Sequence, residues 1–541
     1  MIFSKLIKVT LTQFSRPRWQ KKIDRFRVKE QKKRINKPSL RILVGPSFSL
    51  WEPCRALDRV ISLGLEIRGC EIIPVYCDSM QEPECNCVGG NWGGGTGWVK
   101  NCKKCRQASE QMWLPYGKNL VKLSQYVEIE DKKKINDLLS PLSFDEMCSF
   151  SYENVDYGRL GKDILVNNYL VASPKLVPNG ATLLRTHIKN LIQLTCCYRR
   201  LLQDLKPDRV ISNDSYYGMW RVLEYLCKEL QIPYYSHWPV TKDRIAVAAN
   251  DAAMNLNLRE SWKSFSKHDL KVSEVNKIQN WLAGNRGLVI DTTKPYRAAK
   301  KPILRENIND EKPTILLAAN VVWDLAALNK QIVFKDMNQW ILETVKWFET
   351  RPDYQLIIKP HPIESAPEIP KTNETVAEII NSEFQHLPGN VMLLRSDTDI
   401  TSNELLNLKN LKGVVVHTTT VGFEFPARGC PTITTAMSPY RGFGFTVDPS
   451  DRDEYFLSLQ KLLESQTVQI DPEAKELALK FIKFYQFHYY SKISAFEGNP
   501  VHLSGDFERI IRAEDGGLNY ILNQIISGNA INESDKWLPE T

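Results

Sequence analysis

No run of about 18 or more apolar residues occurs in the chain, so the sequence predicts no membrane-spanning helix. The first eight residues hold too short an apolar stretch for a secretory signal. Low-complexity tracts are missing, and no repeat of solenoid period is visible. The body also lacks a basic surplus. The net charge is +8, but residues 1–38 carry 13 Lys or Arg against only Asp24 and Glu30, which leaves the rest of the chain at about −3. A body of that charge has no basic stripe for nucleic acid, which speaks against a nucleic-acid partner. These absences predict a globular chain in the cytoplasm.

What is there is long and mixed in composition. With 541 residues, 43% hydrophobic and 25% charged, two large domains with extensions are expected. The basic leader, residues 1–38, interleaves Ile2, Phe3, Leu6, Ile7, Leu11 and Phe14 with its cations. Such a segment suits an anionic membrane surface, which would make the chain peripheral on the inner face of the plasma membrane; the plain alternative is a solvated tail. Twelve cysteines are scattered through both halves and should be mostly reduced in a cytosolic setting. One group stands out: Cys85-x-Cys87 and Cys102-x-x-Cys105, with Cys77 just upstream. The pairing is that of a small structural zinc site, although Cys-x-Cys is tighter than usual and free thiols in a loop are the alternative.

Strand and helix patterns alternate along the chain. Arg41-Ile-Leu-Val-Gly45 reads as a strand, residues 54–68 as a helix with Leu57, Val60, Ile61 and Leu65 on one face, and Glu71 to Cys77 as a second strand. That order opens a doubly wound sheet. A helix over 185–204, a strand over 208–213, a helix over 217–230 and a strand over 232–237 follow. Residues 287–313, with Pro295, Pro302 and Pro313, read as the interdomain linker. A second α/β unit then shows strands at 314–318, 354–358, 391–394, 413–416 and 431–435, with helices over 336–350 and 452–464. Ser450 is the expected cap of the latter, with Asp453 as its partner. A helix over 472–490 is expected to pack back on the first domain. The division is therefore 1–38 leader, 39–300 first Rossmann-like domain, 301–470 second Rossmann-like domain, and 471–541 crossing helix and tail.

Chemistry is expected where strands end. In the second unit, Lys359-Pro-His-Pro-Ile-Glu364 sets His361 in a loop held by two prolines, and Glu364 could hold a ribose hydroxyl or orient the imidazole. His417-Thr-Thr-Thr-Val-Gly-Phe-Glu424 runs from a strand into a hydroxyl-rich turn and a helix start. Thr418, Thr419 and Thr420 with helix-end amides suit a phosphate, and Glu424 could take a ribose diol; simple N-capping is the bland alternative. Tyr440-Arg-Gly-Phe-Gly-Phe-Thr446 offers Arg441 as a cation, while Gly442 and Gly444 permit close backbone approach. In the first unit, Asp214 follows a strand and is the leading acid/base candidate, with His237 second. Arg159 and Arg185 are candidates to receive acidic acceptors. Helix capping, a core histidine and surface arginines are the structural alternatives.

Together with Asn320-Val-Val-Trp-Asp324, these loops resemble those of the bacterial capsule polysaccharide biosynthesis glycosyltransferases, a group related to the Kdo transferases of capsule export. The likeness covers roughly residues 310–465 and is looser before that. It implies a GT-B fold, two facing Rossmann-like domains with a C-terminal helix crossing back. It further implies transfer from a nucleotide-sugar donor, CMP- or UDP/GDP-linked, to a polysaccharide or lipid-linked saccharide acceptor, without a catalytic metal. Asn320, His361 and Thr418 to Thr420 would be donor-site residues. The His-Pro and His-Thr loops are also similar to those of teichoic-acid glycerophosphate polymerases, and a non-catalytic nucleotide-binding scaffold would need the same fold.

Overall fold

The computed structural model describes residues 16–32, 39–81, 85, 89–93, 98–284, 309, 311–324, 327–366, 369–397, 400, 402–466, 469–514 and 516–531. The leader positions Ile2 to Phe14, Cys87 and nearly all of the expected linker lie outside the described residues.

The first unit runs α1 (Arg18–Gln31), β1 (Arg41–Val44), α2 (Glu52–Ile67), β2 (Glu71–Tyr76), α3 (Trp98–Trp113), β3 (Val121–Lys122), α4 (Tyr157–Tyr169), α5 (Gly180–Leu205), β4 (Arg209–Asn213), α6 (Gly218–Glu229), β5 (Tyr234–Pro239), β6 (Arg244–Ala249), α7 (Arg259–Phe265) and α8 (Val272–Leu282). The second runs β7 (Thr314–Ala318), α9 (Met337–Glu349), β8 (Gln355–Lys359), α10 (Val376–Asn381), β9 (Val391–Leu393), β10 (Leu411–Val416), α11 (Val421–Glu424), β11 (Thr432–Thr434) and α12 (Arg452–Glu464). The chain then adds α13 (Pro472–Ile482), β12 (Ser491–Lys492) and α14 (Gly516–Ser527). Shorter helical turns fill the connections.

Two sheets result. The first has the order β12-β6-β5-β4-β1-β2-β3, parallel from β5 to β3, with β6 and β12 added antiparallel. The second is β11-β10-β7-β8-β9, parallel throughout. Strands such as Ile42 to Val44, Ile315 to Leu317 and Val414 to Val416 are almost wholly buried, as expected when helices cover both faces of a parallel sheet. In each sheet the strand order reverses at the first strand. β1 lies between β2 and β4, and β7 lies between β8 and β10. Ligands in open α/β sheets sit beyond the carboxyl ends of the strands at such a reversal.

The last segment returns to the first unit. Phe481 of α13 packs on Trp262 of α7, with ring centroids 5.6 Å apart, and Trp262 stacks on Phe443 of the second unit at 5.3 Å. β12 pairs with β6, and α14 buries Leu518, Ile521, Leu522 and Ile525 against the β1 and α2 core. Burying each such side chain stabilises the fold by about 1.5–3 kcal/mol. Gly64 of α2 permits this approach, since a Cβ there would lie 2.5 Å from a Leu522 methyl. The two rims face each other: the Tyr216 hydroxyl donates to the Leu328 carbonyl at 2.9 Å, and Asn329 Nδ2 donates to Asp163 at 2.8 Å.

Four sequence expectations change. The leader is not one detached unit, because α1 buries Trp19, Ile23 and Phe26 in the first core. Arg27 forks onto Glu66 at 2.7 and 2.9 Å and Asp24 takes Arg59 at 2.7 Å, so part of its charge is paired inside. Second, the sequence pattern assigns no element over 244–249, where β6 is a short apolar run returning antiparallel along β5. Third, the helix expected over 472–490 is α-helical only to Ile482 and widens into π turns over Lys483–Tyr489, where aromatic side chains crowd. Fourth, α12 is capped by Asp451, which accepts the Glu454 amide at 2.9 Å, while Glu454 reaches back to the Ser450 amide at 2.7 Å.

Candidate functional site

At the second sheet's reversal, β7 leads into Asn320 and β10 into His417. The Thr418 amide donates to Asn320 Oδ1 at 3.1 Å, so one side chain ties the ends of the two central strands together. The turn beyond is held from beneath, where the Tyr440 hydroxyl donates to the Thr419 carbonyl at 2.8 Å. Thr418 and Thr419 are half-buried and Thr420 is exposed. Thr420 stands at the cap position of α11, but its side chain makes no capping bond, so simple N-capping does not account for it. The expected helix is only one turn long before Pro426, so its amides act locally and not as a full helix dipole. His417 is buried and stacked on Trp340 at 5.9 Å, and burial holds its pKa down at about 4.

His361 follows β8, on the other side of β7. β7 therefore separates the strands that carry the two loops, and Asn320 stands between them. His361 Nδ1 accepts the Ile363 amide at 3.1 Å. Burial, with Lys359 nearby, holds the imidazole at a pKa of about 4. The ring is neutral at pH 7, and its proton is fixed on Nε2, which becomes a donor.

Three other donor candidates are occupied elsewhere. Glu364 is buried and accepts the Val376 amide at the start of α10 at 3.0 Å, with its pKa pushed up to about 7 by burial. It holds a helix end and does not reach the rim. Arg441 donates to the carbonyls of Thr434 at 2.8 Å, Asp448 at 3.0 Å and Pro449, so its guanidinium braces the loop from within. Glu424 is only 1% exposed, below the turn and not on it. Gly442 and Gly444 do have left-handed backbone, φ +81° and +89°. A Cβ on Gly442 would lie 3.7 Å from the Arg259 guanidinium of α7, so this loop meets the first unit.

The first sheet's reversal repeats the tie. Asn213, at the end of β4, accepts the Phe48 amide from the loop after β1. Asp214 accepts the Met254 amide at 2.8 Å and the Tyr216 amide at 3.4 Å, and burial pushes its pKa up to about 6. It braces two loops and does not cap α6, whose N-cap Tyr217 makes no side-chain bond. His237 Nε2 lies 2.7 Å from Asp58 Oδ1 of α2, and both residues are buried. His237 Nδ1 and Asp58 Oδ2 have no hydrogen-bond partner among the described residues. Sequence reading missed Asp58, Asn213 and Arg259. The one available signal was Asp58, a carboxylate beside the apolar stripe of α2. Arg159 pairs with Asp163 at 3.3 Å and Arg185 donates to the Leu142 carbonyl at 2.7 Å, so neither is a free receiver of acidic groups.

Among the described residues no group of three or more His, Cys, Asp or Glu could hold a metal, although Cys77, Cys85 and Cys102 lie near Cys105, whose thiol pKa is raised by burial and then by these neighbours. Cys102 and Cys105 lie on α3, and the Cys102 thiol donates to Ser79 Oγ at 3.3 Å. Cys85 is described, whereas Cys87 is not. Two openings, of about 500 Å³ beside Phe144 and Lys175 and about 210 Å³ beside Pro239 and Arg244, are lined by none of the candidate residues.

Two doubly wound sheets with facing reversals and a C-terminal return define a GT-B arrangement. Residues 224–460 match the family model described as capsule polysaccharide biosynthesis protein, which bears out the resemblance read from the loops over that stretch. No curated protein matches the chain. Among solved structures it is similar to KpsC, beta Kdo 2,4 transferase, of Thermosulfurimonas dismutans, at 12% identity over 56% of this chain and 87% of that one, TM-score 0.32. It is also similar to a UDP-GlcNAc 2-epimerase from Neisseria meningitidis bound to UDP-GlcNAc, at 12% identity over 82% and 97%, TM-score 0.28. The calicheamicin glycosyltransferase CalG4 is a third, at 11% identity over 91% and 98%, TM-score 0.26. The fold assignment rests on the chain's own two sheets.

Proposed function

We propose that the chain is a glycosyltransferase that takes a nucleotide-sugar donor at the second reversal and a saccharide acceptor at the first. The observation that carries this is the Asn320 tie to the Thr418 amide at the end of β7, the strand between the two that lead into the Thr418 to Thr420 turn and into the neutral His361. Hydroxyls, turn amides and a neutral imidazole donor suit a donor phosphate and the charge it gains as the sugar leaves. On the opposite rim, His237 with Asp58 behind it has the make-up of a general base. As the acceptor oxygen bonds to the anomeric carbon, the bond from that carbon to phosphate breaks and the acceptor proton passes to His237 Nδ1. Asp214 then serves as a positioning residue for the loops around it. The family-model match over residues 224–460 supports a polysaccharide or lipid-linked saccharide as acceptor.

Thermal-shift screening of the full chain against CMP-, UDP- and GDP-sugars tests the donor half. At least one should raise the melting temperature in wild type, and the same compound should do so much less in H361A. An H361A variant that binds as wild type would overturn the donor site.

A further inference from the structure

The first rim holds a group of polar atoms whose bonding is unfinished. Arg55, in the first turn of α2, is half-buried; among the described residues its side chain makes no ion pair and no hydrogen bond, and its Nε is sealed from solvent. Burial lowers its pKa, with only the nearby charges of Glu52 and Cys105 opposing. Glu52 does not neutralise it directly, because its carboxylate is taken by Trp19 Nε1 at 2.7 Å and the Val501 amide at 3.1 Å. A guanidinium drawn out of water without a counter-ion is costly, and such cations normally have a carboxylate or phosphate beside them. Arg159, paired with Asp163, shows that outcome in this same chain, and Arg185 is satisfied by backbone carbonyls instead.

Two residues that precede Arg55 in the chain share the deficit. Ser47 Oγ and Trp51 Nε1 are buried and without a partner among the described residues, and Ser47 is only 4% exposed. Trp51 is the N-cap of the 16-residue α2 and supplies no side-chain cap; Pro53 has no amide hydrogen and the Arg55 amide bonds the Trp51 carbonyl at 3.3 Å, so the Glu52 and Cys54 amides are the ones left for another acceptor. Trp51, Arg55 and Asp58 recur at positions i, i+4 and i+7, which sets them on one helix face, toward the His237 pair. Aromatic rings flank them. Trp51 and Trp238 have centroids 5.1 Å apart, Phe48 and Trp238 6.0 Å, and all three rings are half-buried.

We infer that this is a subsite for an anionic saccharide, whose carboxylate or phosphate binds Arg55, Ser47, Trp51 Nε1 and the α2 amides while its ring lies on Trp51 and Trp238. The inference rests on the acceptor half of the proposed function and names the substrate class: an acidic acceptor, anchored by its charge about one helical turn from Asp58, the partner of His237.

The test titrates the full chain with three probes, glucuronic acid, glucose 1-phosphate and glucose, by tryptophan fluorescence. At least one anionic probe should bind at least tenfold more tightly than glucose, and whichever does identifies the anion. Arg55→Gln should remove that preference, and Trp51→Phe, which keeps the ring and loses the N–H, should reduce it. Arg55→Met should melt at or above the wild-type temperature, because an unpaired cation has been removed; a lower melting temperature would mark Arg55 as a structural brace and overturn the subsite. Equal binding of all three probes, or retention of the preference in R55Q, would also overturn it. Nucleotide binding measured on the same samples keeps the two readings apart. Loss of nucleotide binding in H361A with probe binding intact upholds the subsite independently, whereas a wild type that binds probe but no nucleotide would sink the donor reading alone.

Discussion

The two reversal points are built alike and finished differently. Each has an asparagine that accepts an amide from the loop of the adjacent central strand, Asn213 from Phe48 and Asn320 from Thr418. Around Asn320 the loops are largely braced from within: Tyr440 holds Thr419, Arg441 holds three carbonyls, and Glu364 holds α10. Around Asn213, Ser47, Trp51, Arg55, Asp58 and His237 leave buried polar atoms without partners among the described residues. A rim that satisfies itself can offer a fixed surface to a phosphate. A rim with unfinished bonding is completed by its ligand. The proposed function takes the more braced rim as the donor side and the other as the acceptor side.

The largest expected effect falls on the first rim. Asp58→Asn or His237→Gln should lower transfer by roughly 10²–10⁴-fold, the usual contribution of a general base, with nucleotide affinity unchanged. A parallel loss of nucleotide affinity would erase the division of labour. On the second rim, Asn320→Asp keeps the acceptor oxygen for the Thr418 amide but puts a carboxylate beside the proposed phosphate. Nucleotide affinity measured by calorimetry should fall by roughly ten- to a hundredfold. Unaltered affinity would remove Asn320 from the site.

His361 should have a smaller effect with a distinctive pH signature. With a pKa of about 4 the ring stays neutral from pH 5.5 to 8, so H361A should weaken nucleotide binding by roughly tenfold at every pH in that range. A penalty that grows toward pH 5.5 would mean an imidazolium contact.

The smallest effect concerns Glu364, whose folded pKa is raised from 4.5 to about 7. A raised carboxyl pKa means the folded state binds the proton more tightly, so stability from this group is greatest below pH 4.5 and falls as pH rises through 7. Glu364→Gln should therefore gain on wild type at pH 8 by about 1–3 kcal/mol and differ little near pH 4.5. Melting curves at the two pH values check the sign, and a pH-independent difference would contradict it.

How much was legible follows the same division. The second unit announced itself in contiguous runs: five apolar strands and the loops after three of them, 359–364, 417–424 and 440–446, all emerged near the expected positions. Contiguity does not report bonding, so Arg441 and Glu364 looked like ligand contacts but are spent on backbone groups. The first rim is assembled from residues far apart in sequence. Asp58 and His237 are 179 positions apart, and only the β4–β5 register with α2 across it brings them together. The basic leader misled because charge density hid the apolar positions Trp19, Ile23 and Phe26, which follow helical spacing. Fold class was thus readable from periodicity, and the loops proposed for the donor from motif; the proposed acceptor rim required the fold.

The most direct test of the central claim is hydrogen–deuterium exchange of the full chain with and without a saturating nucleotide chosen by the thermal-shift screen. The account predicts slowed exchange in segments 359–363 and 417–423, with segment 45–55 unaffected. Protection centred on 45–55 and 213–217, with the second rim unchanged, would contradict it.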